Sequence, residues 1–517
     1  MKNTKKFTKL LALILSTVMP VMTFIGCNNE SIPELPDYST VEKEYDFFAY
    51  TAPTDGSISL GYDRYDFVGP DQRTVEGYTT YKNAGFNMLL LTGTAGYDGA
   101  TEWEKSECKR AMTAATEAGV NKIVLVDKRI NSLLGGKNNL VGEGKLYNSQ
   151  EELNAELKEI LSTYINEDGF YGVSLLDEPD YTYVNSFGWV YKAIKAAAKE
   201  LGKEDIYIHM NLLPYDTEYS RFAAEYEYDN MSDVYYSYVR KYLESTGCDR
   251  VSVDVYAFRN TNIAGAFFTT AQVYSKLGKE LNVDITFCLQ SFAYSSNYFR
   301  QVGKSEMLLE LYALMGFGFD DFAYYTYQPG SPEIPQGSTF VNMDGTCTNI
   351  YHYGKEAMAN AQAMSDIILN YEFLGSKFYM KKLPNFDISC YLSGPSGSVK
   401  VKQEDGTIKS VSSSLMFDNR HEFQLVKDVQ FDNDVVYVSE LKDDVNNLYM
   451  YMVQNVIRPQ NAEYGRTAEK VTVTFDSGYT HVAELKDGNI KYVKLNNGKY
   501  EKTLSAGHAV YLIPLGK

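Results

Sequence analysis

Tyr171-Gly172-Val173-Ser174-Leu175-Leu176-Asp177-Glu178-Pro179 is an apolar run that stops abruptly at two carboxylates and a proline. Buried parallel strands read as unbroken apolar stretches, and a proline placed just after one suits the start of the next helix. The segment therefore predicts a strand over 171–177 that presents Asp177 and Glu178 at its C-terminal end. Seven further runs share this texture, at 57–61, 87–92, 122–127, 206–210, 251–255, 284–290 and 322–327. Helical stretches separate them, the clearest at 149–165, 187–201, 266–281, 305–314 and 351–371. Ser149 followed by Gln150-Glu151-Glu152 supplies an N-terminal cap, and Ala196-Ala197-Ala198 fills a helix interior with the strongest helix former.

Alternating strands and helices predict a parallel sheet, and eight is the number of strands that closes it into a barrel. After Gly375 short alternating runs are separated by Asp-Gly, Asn-Gly and Ser-Gly turns, which predicts an antiparallel domain. The expected fold is a (β/α)8 TIM barrel at 47–374 followed by a C-terminal antiparallel β-sandwich at 375–517.

The N-terminus carries Lys2, Lys5, Lys6 and Lys9, an apolar run to Ile25, and then Gly26-Cys27. That order predicts a lipoprotein signal peptide over 1–26, lipidation of Cys27 and a polar tether over 27–46. The mature chain would be exported and lipid-anchored to the bacterial membrane, facing outside. Cleavage removes four lysines and no acid, so the net charge falls from −18 to −22. So acidic a chain, with no basic stripe, makes nucleic acid a poor partner. Cysteines and histidines are scattered singly, without metal-ligand spacing, so neither a metal nor another cofactor is expected. Tyrosine is abundant, with 44 residues, and its flat face and edge hydroxyl suit carbohydrate, although most of these residues serve strands and core.

Barrel chemistry gathers at the C-terminal strand ends. Here those ends offer Asp63 and Arg64, Thr92, Asp127 and Lys128, Asp177 and Glu178, His209 and Asn211, Asp254 and Tyr256, Gln290 and Ser291, and Tyr325, Tyr327 and Gln328. Cleaving a glycosidic bond takes a carboxylic acid for the leaving oxygen and a second group for the oxocarbenium-like centre. Glu178 suits the first role, because an apolar approach and an anionic neighbour both favour its protonated form. The plainer reading makes Asp177-Glu178-Pro179 a helix cap. The second group has three candidate sources: Asp177 orienting a substrate 2-acetamido group, Asp254 or Asp63 acting across the barrel, or none, in a site that binds sugar without cleaving it.

The chain resembles bacterial TIM-barrel glycoside hydrolases of an Asp-Glu-Pro type, clan A-like and often labelled β-galactosidase-like. The resemblance rests on Gly172 to Pro179, on Asn211-Leu212-Leu213-Pro214, and on Ser252-Val253-Asp254-Val255-Tyr256-Ala257-Phe258, where Ala257 replaces a proline. It also rests on Gln290-Ser291-Phe292 and on Tyr324-Tyr325-Thr326-Tyr327, and it spans roughly 58–372. It implies Glu178 as general acid/base and makes Gln290 normal for the group, although clan A barrels usually carry a nucleophilic carboxylate at that strand end. Gln328 stands where such barrels often place a tryptophan under the sugar. The expected activity is hydrolysis of an oligosaccharide or polysaccharide, with Glu178, Asp177 and Asp254 catalytic and Asp63, Asn211, Tyr256, Gln290, Tyr325 and Tyr327 binding substrate. A catalytically silent glycan-binding lipoprotein on the same barrel is the alternative.

Overall fold

Among the described residues eight parallel strands form the barrel: β1 Asp46–Ala49, β2 Met88–Leu91, β3 Lys122–Val126, β4 Phe170–Ser174, β5 in two pieces (Tyr207–His209 and Asn211–Leu212), β6 Arg250–Asp254, β7 Asp284–Gln290 and β8 Asp321–Tyr325. The computed structural model describes residues 33–516 apart from 40–42, 62–63, 135–139, 216–218, 225–226, 260–262, 264, 297, 382–388, 404, 433–434 and 457–467. The expected signal peptide, Cys27 and Asp63 lie outside the described residues.

Parallel ladders run from β2 through β5 and from β5 through β8 to β1. Between β1 and β2 the ring is stitched by Asn87. Its backbone N–H donates to the Phe47 carbonyl at 3.1 Å, and its side-chain oxygen accepts the Phe47 N–H at 2.8 Å. Gly172 permits the close approach of β4 and β5, since a Cβ there would lie 1.9 Å from the Tyr207 carbonyl oxygen. Side chains alternate between the barrel interior, with Phe48, Met88, Leu90, Val124, Cys288 and Ala323, and the helix layer, with Phe47, Leu89, Leu91 and Phe322.

The first strand is a correction to the sequence reading. Ser57–Gly61 pairs antiparallel with Arg64–Phe67 in a largely exposed hairpin beyond β1, whereas the barrel begins with the wholly buried Asp46–Ala49. Ile58 and Leu60 alternate with small polar residues, which is the pattern of a strand with one wet face. A strand buried on both faces shows continuous apolarity, as Phe47-Phe48-Ala49 does.

The expected tether over 27–46 likewise overlaps ordered structure. Tyr38 donates to Asp443 at 2.8 Å and lies 3.0 Å from the Tyr371 hydroxyl, and Tyr45 is fully buried.

Helices pack around the ring, and their starts follow local capping chemistry. Ser106, Ser149, Asn230 and Thr348 accept backbone N–H groups at the starts of Glu107–Glu117, Gln150–Ser162, Met231–Thr246 and Asn349–Ile368. The protein is thus a (β/α)8 barrel followed by a C-terminal antiparallel β-sandwich. The sandwich pairs a six-stranded sheet, which opens with Glu372–Met380, with a three-stranded one. Period-two alternation divides the larger sheet: Val436, Val438, Tyr451, Val453, Val510 and Leu512 face the smaller sheet, while Tyr437, Met450, Met452, Tyr511 and Ile513 join the barrel's own core. Rings of Phe268 and Phe317 pack on Tyr437 with centroids 5.4 and 5.6 Å apart, so barrel and sandwich share one apolar interior.

Candidate active site

The backbone leaving β4 turns at Glu178, whose φ of 47° lies in the left-handed region. For a residue with a Cβ that conformation costs roughly 1–2 kcal/mol, so the surroundings must hold it. They do so through the main chain. The Glu178 N–H donates to the Asn211 carbonyl at 3.0 Å, and the Arg221 guanidinium donates to the Glu178 carbonyl at 2.6 Å. The next two carbonyls, of Pro179 and Asp180, accept the hydroxyls of Tyr238 and Tyr242, each at 2.6 Å. Both tyrosines stand on Met231–Thr246, so one helix clamps the turn.

Asn211, in β5, ties the neighbouring carboxylates together: its Nδ2 donates to Asp177 at 2.9 Å and to Asp254 at 3.1 Å. Asp177 is solvent-exposed yet desolvated by the protein around it. That enclosure raises its pKa against the lowering hydrogen bonds from Asn211 and the Glu178 backbone. Asp254, at the end of β6, is buried, and its pKa is pushed well above the ordinary carboxylate value, first by desolvation and then by the Glu178 and Asp177 charges. Three carboxyl groups sharing one mouth do not all ionise together, and the direction of these shifts leaves a proton in the site.

Tyrosines wall this floor. Tyr256 hydrogen-bonds Asp254, and its ring lies 5.5 Å from that of Tyr325. Tyr50, just past β1, has its hydroxyl 2.6 Å from His209 Nε2. Burial drops the His209 pKa to about 3, so the imidazole is neutral. Desolvation and then the charge of Asp177, with a smaller effect from Asp254, raise the Tyr50 pKa, so its hydroxyl keeps its proton. Tyr294, beyond β7, is raised by burial and by the charges of Glu333 and Glu178, which sets it beside the same turn.

Of the residues expected to act, the structure brings Glu178, Asp177, Asp254, Asn211, Tyr256 and Tyr325 together. Two others it places elsewhere. Gln290 is fully buried and spends its amide on backbone: Oε1 accepts the Phe258 N–H at 2.8 Å, and Nε2 donates to the carbonyls of Phe258, Phe292 and Arg300 at 3.1–3.2 Å. Both N–H groups are committed to backbone and the side chain has no exposed surface, so it does not meet a sugar. Tyr327 points into the helix layer, with its ring 5.0 Å from Tyr81 and 6.1 Å from Phe340. Gln328 is also internal, bonding Thr54 N–H and the Asn342 carbonyl. At the end of β3, Asp127 is locked by Arg129 and Tyr164. Tyr50 and Tyr294 were missed. The signal for Tyr50 was its place directly after Phe47-Phe48-Ala49, legible once that run is read as a strand.

Sequence comparison finds no family model and no curated protein that matches the chain. Solved structures similar to it include an α-amylase from Geobacillus thermoleovorans complexed with acarbose, at 12% identity and TM-score 0.46, with 92% of this chain and 98% of that one covered. A glycoside hydrolase family 5 protein from Bacteroides vulgatus matches at 9% identity and TM-score 0.45, covering 91% and 89%. A glucosidase from Croceicoccus marinus matches at 11% identity and TM-score 0.41, covering 92% and 96%. At such identities and scores these likenesses carry no argument about the site, which stands on its own geometry.

Proposed function

We propose that the protein is a glycoside hydrolase acting on an extracellular oligosaccharide or polysaccharide, held at the bacterial surface by a lipid on Cys27. The observation that carries this reading is Glu178, a carboxyl group held in a left-handed turn at the barrel mouth beside a second, exposed carboxylate. Strained, over-determined backbone of this kind belongs to functional sites. Glu178 gives its proton to the departing glycosidic oxygen and, in its carboxylate form, activates the incoming water. Asp177 faces the positive charge that develops at the anomeric centre, or holds a 2-acetamido group that attacks it. Asp254 is only 6% exposed and its pKa is pushed well above the ordinary carboxylate value by burial, so it supports Asn211 and Tyr256 from behind.

A screen of 4-nitrophenyl glycosides with and without a 2-acetamido group tests the activity. Turnover confined to acetamido sugars assigns Asp177 to the acetamide, and turnover of plain glycosides assigns it to the anomeric centre. Absence of turnover on every glycoside and on polysaccharides contradicts the proposal. One observation favours a second reading: the end of β7 offers no carboxylate, and its Gln290 is wholly consumed by backbone. A silent glycan-binding lipoprotein would bind sugar without turnover, with affinity unaltered in Glu178→Gln.

A further inference from the structure

Beside the carboxylates, on the β1–β2 side of the mouth, lies a cavity of about 230 Å³. At liquid density it has room for roughly seven waters, the space of one pyranose ring. One wall is the hairpin Ser57–Gly61/Arg64–Phe67. Its register sets Ser59 opposite Tyr65 and Ser57 opposite Phe67, and cross-strand partners share a face, so Ser57, Ser59 and Tyr65 line the space together. The facing wall comes from Thr92 and Thr94 beyond β2, and the end towards the carboxylates is Tyr325. Tyr325 is therefore common to the cavity and to the site, where its ring lies 5.5 Å from that of Tyr256.

The polar groups of the cavity are fixed from behind. Ser57 Oγ donates to Asp55 at 2.5 Å, Arg73 Nη2 donates to Thr94 Oγ1 at 2.5 Å, and Arg73 and Asp55 pair at 3.4 Å. Arg73 is nearly buried and its charge is answered by Asp55, so the wall presents oriented hydroxyls without net charge. Two tyrosine rings and neutral hydroxyls match the apolar faces and hydroxyl edge of an uncharged sugar. A sulfated or uronic ring would find the Arg73 charge already balanced by Asp55.

We propose that this cavity is a second sugar subsite, adjoining the reactive one across Tyr325 and taking one uncharged pyranose, so that the substrate spans at least two rings. The inference rests on the glycan reading of the carboxylate site, and the test separates the two. Calorimetry on the full chain would compare glucose, galactose, mannose, xylose and N-acetylglucosamine with cellobiose, lactose, mannobiose, xylobiose and chitobiose. The disaccharide of the preferred sugar should bind at least about tenfold more tightly than its monosaccharide. Ser59→Trp fills the cavity from an exposed hairpin position and should remove that ratio, and Tyr65→Ala should reduce it. Where the wild type turns over an aryl glycoside, the ratio of kcat/KM for oligosaccharide over aryl monoglycoside should fall in the same variants. A disaccharide that binds no more tightly than its monosaccharide overturns the subsite, as does a ratio unmoved in both variants. Length-dependent binding without turnover would keep the subsite and overturn only the hydrolase.

Discussion

The guanidinium of Arg221 donates to the backbone carbonyl of Glu178 at 2.6 Å, fastening the main chain of the candidate acid at its turn. Hydrogen bonds from charged donors contribute about 1.5–3 kcal/mol, so loss of this one lets the left-handed turn relax. Arg221→Met should lower kcat on any glycoside substrate by about tenfold or more, given 1.36 kcal/mol per decade, with a smaller change in KM. Equal kcat with raised KM would make Arg221 a sugar contact.

The same turn makes a prediction about stability. Glu178→Gly and Glu178→Ala both remove the carboxylate, but only glycine relieves a φ of 47°. In urea unfolding, Glu178→Gly should exceed Glu178→Ala by about 1 kcal/mol, with both losing turnover of glycosides whose leaving group needs a proton. Equal stability would mean that the turn is unstrained.

Acid sensitivity should trace in part to His209. Its folded pKa is depressed to about 3 from an ordinary 6.5, because burial excludes the charged form. Between those values the unfolded chain binds a proton that the folded one does not. Its contribution to stability is therefore complete above pH 6.5 and drains as pH falls towards 3, at ~1.4 kcal/mol per unit. His209→Gln, which can still meet the Tyr50 hydroxyl, should flatten that slope in unfolding measured from pH 7 to 4. An unchanged slope would place the acid-sensitive group elsewhere.

Restoring a carboxylate at the end of β7 should fail. Gln290 Nε2 donates to three backbone carbonyls, and in Gln290→Glu an oxygen would face all three. The Phe258 carbonyl keeps the Arg300 N–H, but those of Phe292 and Arg300 lose this donor and all three meet an opposing oxygen, at about 1–3 kcal/mol for each group left unpaired. The variant should unfold many degrees earlier in a thermal melt and gain no turnover. A stable, more active Gln290→Glu would show that the strand end reaches the sugar.

Much of the barrel was legible because fully buried strands announce themselves as apolar runs, as at Lys122–Val126 and Asp284–Gln290. The pair Asp177 and Glu178 stood out for the opposite reason, as charge where the run stops. Direction was harder to read. Tyr325 and Tyr327 are two residues apart, but β8 ends at Tyr325, so strand alternation does not carry on to Tyr327, and they end on different sides of the wall. Gln290 looked like a sugar contact because an amide at a strand end can be one; only the tertiary fold shows the carbonyls of Phe258, Phe292 and Arg300 arriving to occupy it. β1 escaped because its apolar run is only Phe47-Phe48-Ala49, opened by the charged Asp46, the last residue of the stretch read as a tether.

The central claim is that Glu178 protonates the departing sugar oxygen, and leaving-group dependence tests it most directly. Glu178→Gln and wild type would be compared on a 2,4-dinitrophenyl glycoside, whose leaving group needs no proton, and on a methyl glycoside or natural oligosaccharide, whose leaving group does. With Glu178 as the proton donor, kcat/KM should fall by roughly 10²–10⁴ on the latter and far less on the former. Undiminished turnover of both substrates by Glu178→Gln would contradict it.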